Sequence, residues 1–386
     1  MYLIRKIEED VRRALRNNPV VALIGPRQCG KSTLVKQMLQ EIPDSIYLDL
    51  ERPSDLLKLE NAEWFLSTQK GKLICIDEVQ RKPELFPLIR SLVDEWNQPG
   101  AFLILGSASR ELLLQSSESL AGRISYKRLT PFLLSEIQGR FSSEIYLARG
   151  AFPRSLLAAD ERASYEWRSD FIATYLERDL LFWRNVTPAT MRKLWQMLAH
   201  LNGQTVEYAT LGRALGISSV VVKNYIDLLE STFMVEVLLP YHSNLGKRLV
   251  KAPKVYVADS GIAANLLSLR SFEDISGHPA IGAVWEQIVL TNLKGTFADA
   301  SFFYYRTSHG AEVDLVMQWE NKVFVIECKT NPQPTLSRGI YNAIEDIRPN
   351  HSFVVIPTQS NWSFKEGVDV VSLDVLIARL KTLVLG

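Results

Sequence analysis

The chain has 386 residues, a length that predicts two or three domains. Its 44 Lys and Arg residues balance its 43 Asp and Glu residues, so the net charge of +1 indicates neither a nucleic-acid partner nor a membrane partner, and any basic binding surface must be local. The three cysteines fit neither a disulfide framework nor a zinc site, and no apolar run has the length of a membrane span or the pattern of a signal peptide, so we expect a cytoplasmic protein.

Residues 1–155 predict an α/β domain. A helix is expected over residues 1–18, because their apolar residues recur on one helical face. Strands alternating with helices then predict a parallel sheet with helices on both faces. The expected strands are Val20–Ile24, Ser45–Leu50, Leu73–Ile76, Phe102–Leu105 and Ile124–Leu129.

A phosphate-binding motif follows the first strand and opens a helix. Residues 25–32 read Gly-Pro-Arg-Gln-Cys-Gly-Lys-Ser, a full match to G-x-x-x-x-G-K-[ST]. The glycines permit a tight loop of backbone N–H groups around the β-phosphate, Lys31 reaches the β- and γ-phosphates, and the Ser32 hydroxyl ligates Mg²⁺. The motif therefore predicts ATP and Mg²⁺ as ligands, with contacts at Gly25, Pro26, Arg27, Gln28, Cys29, Gly30, Lys31, Ser32 and Thr33.

Three further candidates for this site come later in the chain. Asp77 ends the strand-like run Leu-Ile-Cys-Ile and is expected to hold Mg²⁺, while Glu78 is expected to polarise the attacking water. Ser107 ends the next strand and is a candidate contact to the γ-phosphate, with Ser109 as the alternative. Arg123, just before the fifth strand, is either an arginine that reaches a neighbouring subunit's nucleotide or an ordinary surface residue.

Residues 156–277 predict a helical domain that contains a helix-turn-helix. Two helical stretches flank Gly216, Ser218 can cap the second of them, and strands expected at Phe233–Leu239 and Lys254–Ala258 can form a wing. Ser219, Lys223 and Asn224 are then plausible DNA contacts. The basic segment after them suits either phosphate contacts or an ordinary solvated loop, and it comprises Lys247, Arg248, Lys251 and Lys254.

Residues 278–386 predict a small α/β domain with an acidic constellation. A helix at Ala283–Leu293 precedes strands at Ser301–Arg306, Glu312–Gln318 and Lys322–Cys328, and a helix near Gly339–Asp346 precedes a strand at Phe353–Pro357. Carboxylates beside a lysine at the ends of a hairpin are typical of metal-assisted phosphodiester hydrolysis. The candidate residues are Glu286, Asp314, Glu327 and Lys329.

Six segments resemble a prokaryotic family of AAA+-like ATPases of the ASCE division. They are residues 25–32, Ile-Asp-Glu-Val-Gln (76–80), Gly-Ser-Ala-Ser (106–109), Leu-Ala-Gly-Arg (120–123), Thr-Tyr-Leu-Glu-Arg-Asp-Leu (174–180) and Val-Tyr-Val-Ala-Asp-Ser-Gly (255–261). The resemblance implies a winged-helix middle, a C-terminal domain similar to PD-(D/E)XK nucleases, a phosphate-sensing Ser107, a finger-like Arg123 and a homo-oligomer, with a hexamer as the natural form. One departure is Ala151, where the family pattern has a second glycine after Gly150.

Three functions fit these patterns. The first is an ATPase that remodels or moves along DNA. The second is an ATP-dependent switch that binds a protein partner. The third is a metal-dependent DNA nuclease gated by ATP.

Overall fold

The computed structural model of the chain describes residues 2–107, 119–179, 187–241, 251–308, 310–336 and 338–385. It divides into two compact units. The first comprises residues 1–132 and 231–233, and the second comprises residues 133–230 and 234–386. The sequence-based boundaries near residues 155 and 277 stay a prediction.

The first unit is built on a fully parallel five-stranded sheet of order β2-β3-β4-β1-β5. Its strands are β1 (Val20–Gly25), β2 (Ser45–Asp49), β3 (Leu73–Asp77), β4 (Phe102–Ser107) and β5 (Ile124–Arg128). Its described helices are α1 (Ile7–Asn17), α2 (Lys31–Leu39), α3 (Pro53–Lys58), α4 (Ala62–Ser67) and α5 (Leu85–Trp96), with a 3-10 turn at Val79–Arg81.

Helices cover both faces of this sheet, as the sequence predicts. Alternate side chains of β1 enter two different cores. Val20 and Ala22 pack with residues of α5, while Val21 and Leu23 pack with residues of α1 and α2. Parallel strands with both faces buried carry continuous apolar runs, which is the pattern that made these strands predictable.

The helix predicted over residues 1–18 begins only at Ile7. The segment before it is tied down by Arg5, which is 4% exposed. The Arg5 guanidinium donates to the carbonyl oxygens of Cys29 at 3.1 Å and of Thr130 at 2.7 Å. These long-range bonds hold the backbone outside the helix.

The second unit is built on one nine-stranded sheet of order β13-β14-β12-β11-β10-β9-β7-β8-β6. Its strands are β6 (Gln204–Thr205), β7 (Val235–Pro240), β8 (Lys254–Val257), β9 (Ser301–Arg306), β10 (Glu312–Trp319), β11 (Lys322–Cys328), β12 (His351–Ile356), β13 (Asn361–Lys365) and β14 (Val368–Ser372). The parallel pairing of β7 with β9 joins the strands of the predicted middle domain to those of the predicted C-terminal domain.

The second unit also contains the helical core of the middle segment. Its described helices are α6 (Leu134–Ile137), α7 (Ser143–Arg149), α8 (Pro153–Leu156), α9 (Glu161–Thr174), α10 (Pro188–His200), α11 (Tyr208–Leu215), α12 (Ser219–Ser231), α13 (Ser260–Leu266), α14 (Phe272–Ser276), α15 (Ile281–Thr296), α16 (Arg338–Ile347) and α17 (Leu373–Leu385), with a π turn at Tyr175–Asp179. Among the described residues, no helix combines the length and the apolarity that a membrane crossing needs.

Candidate functional site

The loop between β1 and α2 has a backbone that its glycines make possible. A Cβ atom on Gly25 would lie 2.1 Å from the carbonyl oxygen of Leu129, so a side chain does not fit there. Gly30 adopts a φ of 100°, and Gln28 also has a positive φ of 59°. Left-handed residues inside such a loop turn successive N–H groups inward and form an anion-binding concavity. The loop therefore has the shape that the motif predicts.

The ammonium group of Lys31 lies over this loop. Lys31 is 7% exposed, and its Nζ donates to the carbonyl oxygens of Gly25 and Pro26, both at 2.9 Å. Lys31 is also the first residue of α2, so the positive end of the helix dipole adds to the ammonium charge. Together they make the loop an electropositive site for phosphate.

Three other residues of the motif or next to it have different surroundings. Cys29 is fully buried, and its Sγ lies 3.6 Å from the carbonyl oxygen of Leu129. Arg27 forms a 3.8 Å ion pair with Glu51 at the surface. Thr33 follows in the first turn of α2.

Tyr47 links the two residues that are predicted to hold magnesium. Its hydroxyl donates a hydrogen bond to Oδ2 of Asp77. Burial raises the pKa of Tyr47, the bond to Asp77 raises it further, and a hydrogen bond with Ser32 opposes the rise. Asp77 is therefore bonded to the Tyr47 hydroxyl, and Ser32 is close enough to that hydroxyl to affect its pKa, so two residues with the oxygen ligands that Mg²⁺ prefers are neighbours.

Tyr47 was not predicted from the sequence, although its position in the strand carries a signal. Tyr47 pairs with Cys75 and Asp49 pairs with Asp77, so alternation puts Tyr47 and Asp77 on the same face of the sheet. That inference needs the pairing of β2 with β3, which the sequence does not supply.

Glu78 follows β3 in a strained backbone conformation with φ 55° and ψ 42°. A non-glycine residue in this region costs roughly 1–3 kcal/mol and is often found at functional sites. Burial raises the pKa of the Glu78 carboxyl, the charge of Lys31 lowers it, and Asp77 raises it again. Gln80 donates a hydrogen bond to the Glu78 carboxylate. Glu78 thus lies within the field of the loop lysine.

Ser107 and Arg123 lie at opposite ends of the parallel strands. The backbone of Ser107 pairs with Gly25 at the start of the loop, while the Ser107 side chain and all of Ser109 lie outside the described part of the chain. Arg123 precedes Ile124, which pairs with Val20 at the far end of β1, roughly 16 Å away along the strand. The sheet therefore separates Arg123 from the loop of its own chain.

The Arg123 guanidinium is held by groups of its own unit. Nη2 donates to Oδ2 of Asp94 at 3.0 Å, and Nη1 donates to the carbonyl oxygen of Ala121 at 2.9 Å. The side chain remains 32% exposed, so another charged group can compete for it.

Three protein families match successive parts of the chain. Residues 17–138 match an AAA domain, residues 141–273 match a domain of unknown function (DUF8612), and residues 281–376 match a domain of unknown function (DUF4143). The uncharacterized proteins Rv2008c of Mycobacterium tuberculosis and Mb2031c of Mycobacterium bovis are each 36% identical to the chain over 368 residues, 95% of this chain and 83% of theirs. The chain belongs to their family.

Solved structures resemble parts of the chain more distantly. AMPPCP-bound DnaA from Aquifex aeolicus matches 59% of this chain and 89% of its own, with 16% identity and a TM-score of 0.30. The DNA clamp loader delta protein of Bacillus subtilis matches 58% of this chain and 88% of its own, with 12% identity and a TM-score of 0.29. The AAA match over the loop and its sheet supports a nucleotide-binding P-loop ATPase.

The helix-turn-helix of the second unit has the predicted local geometry. Helices α11 and α12 flank Gly216, whose φ is 68°, and the Ser218 hydroxyl accepts a hydrogen bond from the N–H of Val221 at 3.3 Å, which confirms the predicted cap. The predicted contacts Ser219, Lys223 and Asn224 are exposed on α12, and Lys223 lies 3.6 Å from Asp227.

The basic segment is only partly described. Lys247 and Arg248 lie outside the described residues, and Lys251 is exposed. The prediction that Lys254 contacts phosphates is wrong. Lys254 is 1% exposed, because it lies in β8 and its Nζ is 2.6 Å from Oε1 of Glu312.

The acidic constellation of the second unit gathers around the predicted hairpin. Strands β10 and β11 pair antiparallel, and Asp314 accepts a hydrogen bond from the N–H of Cys328 at 2.7 Å. Lys329 donates to Oε1 of Glu327 at 2.7 Å. Burial, together with the charge of the nearby Asp314, raises the pKa of Glu286 to about 8 and that of Glu327 to about 7.

This cluster does not have the arrangement of a metal site. Across the residues that the structure describes, no group of three or more His, Cys, Asp and Glu side chains is arranged to hold a metal ion. Lys254, which the sequence placed in a DNA-binding segment, instead lies 3.9 Å from Oε2 of Glu286. The surroundings therefore fit a lysine better than a divalent cation.

Proposed function

We propose that the AAA domain binds ATP and hydrolyses it at the site formed by Lys31, Ser32, Asp77 and Glu78. The observation that carries this proposal is the loop of residues 25–32, whose left-handed backbone and Lys31 ammonium form an electropositive site for phosphate. Magnesium bound with ATP neutralises the charge that develops on the β- and γ-phosphates.

Each residue then has a distinct role. The loop amides of residues 25–32 hold the β-phosphate, and Lys31 exchanges its bonds to loop carbonyls for bonds to phosphate oxygens. Ser32 and Asp77 hold the cation. Glu78 accepts a hydrogen bond from the attacking water and polarises it. Ser107 contacts the γ-phosphate from the adjacent strand, a role that its backbone pairing with Gly25 supports.

We further propose that the chain works as a homo-oligomer, in which Arg123 of one subunit completes the nucleotide site of the next. Arg123 lies at the end of the strands opposite its own phosphate-binding loop, which supports a role between subunits. A γ-phosphate competes with Asp94 for the guanidinium because it carries more negative charge than one carboxylate, while Arg binds both groups in a bidentate manner. Arg123 thereby stabilises the transition state.

We propose DNA as the substrate that ATP hydrolysis moves or remodels. The exposed residues Ser219, Lys223 and Asn224 on α12 suit a winged helix whose second helix enters a groove. Lys247, Arg248 and the exposed Lys251 would add phosphate contacts.

A protein-binding switch is the second candidate. It is favoured by the exposed face of α12, on which Val220 is 65% exposed and Lys223 is paired with Asp227. Apolar and neutralised groups on this face suit a protein surface better than a phosphate backbone.

ATPase rates with single-stranded, duplex and branched DNA separate these two candidates. The DNA proposal predicts a rate that rises with at least one of these DNAs, and loss of that rise in a Lys223→Glu variant, while the basal rate without DNA stays unchanged. Lys193→Glu on the exposed surface of α10 makes the same change of charge and is the control for a general charge effect. A rate that no DNA changes, in a chain that hydrolyses ATP, would favour the switch.

A further inference from the structure

A buried lysine lies at the centre of the acidic cluster in the second unit. Lys254 comes from β8, where it is 1% exposed, and its Nζ lies 2.6 Å from Oε1 of Glu312 and 3.9 Å from Oε2 of Glu286. The charge of Asp314 also acts on the Lys254 ammonium. One ammonium group therefore forms ion pairs with carboxylates from helix α15 and from strand β10.

The carboxylates of the cluster are bonded to groups of the chain itself. Oε2 of Glu286 accepts a 3.0 Å hydrogen bond from the Tyr256 hydroxyl, in addition to its ion pair with Lys254. Oδ2 of Asp314 is bonded to the backbone N–H of Cys328, and Oε1 of Glu327 is bonded to Lys329. These bonds hold the carboxylates in fixed orientations within the cluster.

Gly203 and Arg306 help to position the carboxylates that contact Lys254. Gly203 allows the close approach of Glu286, because a Cβ atom at this glycine would lie 3.2 Å from Oε2 of Glu286. Arg306 holds the second oxygen of Glu312, with Nε 3.5 Å from Oε2. The Glu312 carboxylate is thus fixed between two cations and presents its other oxygen to Lys254.

We propose that the Lys254 ammonium takes the place of a divalent cation in this cluster, which makes it a structural ion network instead of a metal-dependent nuclease centre. A cation bound between Glu286 and Asp314 would lie within a few ångströms of a buried ammonium, where repulsion is poorly screened. The network instead joins β8, from the segment that matches DUF8612, to α15 and β10, from the segment that matches DUF4143.

Mn²⁺ binding to the nucleotide-free full chain tests this proposal. The chain carries Asp77→Asn so that the P-loop contributes no cation site, and bound Mn²⁺ is measured by the loss of its free paramagnetic resonance signal. Lys254→Ala should create a Mn²⁺ site, because it leaves carboxylates without their counterion. We expect binding at least roughly tenfold tighter than in the chain that keeps Lys254, a change that corresponds to about 1.4 kcal/mol.

Two controls make the outcome specific. Lys294→Ala also removes a lysine from a carboxylate, since Lys294 lies 2.6 Å from Glu236, yet it is about 12 Å along α15 from Glu286 and should create no Mn²⁺ site. Adding Asp314→Asn to Lys254→Ala should abolish the new site.

The proposal also has a test that does not depend on the folding of the Lys254 variant. In the chain that keeps Lys254, any Mn²⁺ uptake should be the same with and without Asp314→Asn. If Asp314→Asn removes Mn²⁺ uptake from the chain that keeps Lys254, the proposal is wrong. A folded Lys254→Ala chain that gains no Mn²⁺ affinity would overturn it as well.

Discussion

At the scale of single residues, Glu78 combines opposing influences on one carboxylate. Burial raises the pKa of the Glu78 carboxyl, and the charge of Lys31 lowers it. A carboxylate with a raised pKa is a better base for water than an ordinary glutamate, provided that it remains ionised. ATP hydrolysis should therefore decline on acidification at a higher pH than a solvent-exposed glutamate would give, because protonation removes the base.

Glu78→Gln tests this role with an isosteric side chain. The amide cannot polarise water, so ATP should still bind while the hydrolysis rate falls by roughly 10²–10⁴-fold, the usual contribution of a general base. Phosphate release under steady-state conditions and ATP binding at equilibrium separate the two effects. A variant that turns over ATP at the normal rate would show that another group polarises the water.

Tyr47 has a role at this site that follows from the geometry and that the sequence did not predict. Its hydroxyl orients Asp77 and contacts Ser32, so Tyr47→Phe should leave the fold intact and loosen the cation site. Groups that orient metal ligands contribute roughly 10–100-fold in metal affinity, so half-maximal ATPase should need roughly tenfold more Mg²⁺. Tyr126→Phe in the same sheet is the matched control. An unchanged Mg²⁺ dependence in the Tyr47 variant would remove Tyr47 from this role.

Spacing made Lys31 and Ser32 predictable, because a short contiguous motif fixes both the loop and the helix that follows. Tyr47 and Lys254 depend on contacts between segments that are distant in sequence. Lys254 belongs to a run of basic residues, and a basic run is normally solvated. Its burial beside Glu312 follows from the register of β8 in the sheet, which no local pattern encodes.

At the scale of elements, residues 255–261, one of the segments that resemble the family, meet Gly150 and Ala151 at the start of α13. Asp259 caps this helix by accepting from the N–H of Ile262 at 2.9 Å, and its other oxygen accepts from the N–H of Ala151 at 2.6 Å. Gly150 must be glycine, because its φ is 74° and a Cβ atom would lie 2.2 Å from Oδ1 of Asp259. Ala151 contributes only its backbone, so the departure from the family pattern leaves this junction intact.

Asp259→Ala should destabilise the second unit strongly. It leaves two buried N–H groups without their acceptor, which costs about 2–6 kcal/mol at roughly 1–3 kcal/mol for each group. The control Asp160→Ala removes a cap at the exposed start of α9, where Asp160 accepts from Ala163, and should cost only about 1 kcal/mol. Urea unfolding of both variants measures the difference. Equal losses would mean that the Asp259 bonds add nothing beyond an ordinary cap.

Most strands of the interior were predictable to within two residues, since buried parallel strands carry unbroken apolar runs between turn residues. The elements that were not predicted from the sequence include β6, β13, β14 and α17. Strand β13 reads Asn-Trp-Ser-Phe-Lys, an alternation of polar and aromatic residues that spans only five positions, and it is exposed along its whole length. The start of α1 was misplaced because the bonds of Arg5 to distant carbonyls override a local helical pattern.

At the scale of the whole molecule, the two units carry different parts of the proposed function. The first holds the nucleotide site and Arg123, and the second holds the helix-turn-helix and the ion network around Lys254. The α/β class and the AAA-like N-terminal sheet were predictable from motif order. The shared nine-stranded sheet was not, because β7 and β9 are about 60 residues apart and their pairing leaves no periodic signal.

Mixing two inactive variants tests the proposed assembly. A Lys31→Ala chain retains Arg123, and an Arg123→Ala chain retains the nucleotide site, so about a quarter of the interfaces in an equal mixture would pair an intact site with an intact arginine. ATPase activity should reappear in the mixture and follow its composition. Arg90→Ala on α5 is the control for a neighbouring cation and should leave activity unchanged in unmixed chains. A mixture that stays inactive at every ratio would exclude the role of Arg123 between subunits.

The central claim is that the loop of residues 25–32 binds the phosphates of ATP, and isothermal titration calorimetry with Mg²⁺ present measures this directly. The account predicts a saturable heat of ATP binding to the wild-type chain and its loss in Lys31→Ala, with the circular dichroism spectrum of the variant unchanged. A wild-type chain that gives no binding heat and leaves a labelled ATP analogue unbound, or a folded Lys31→Ala chain that binds ATP with full affinity, would contradict it.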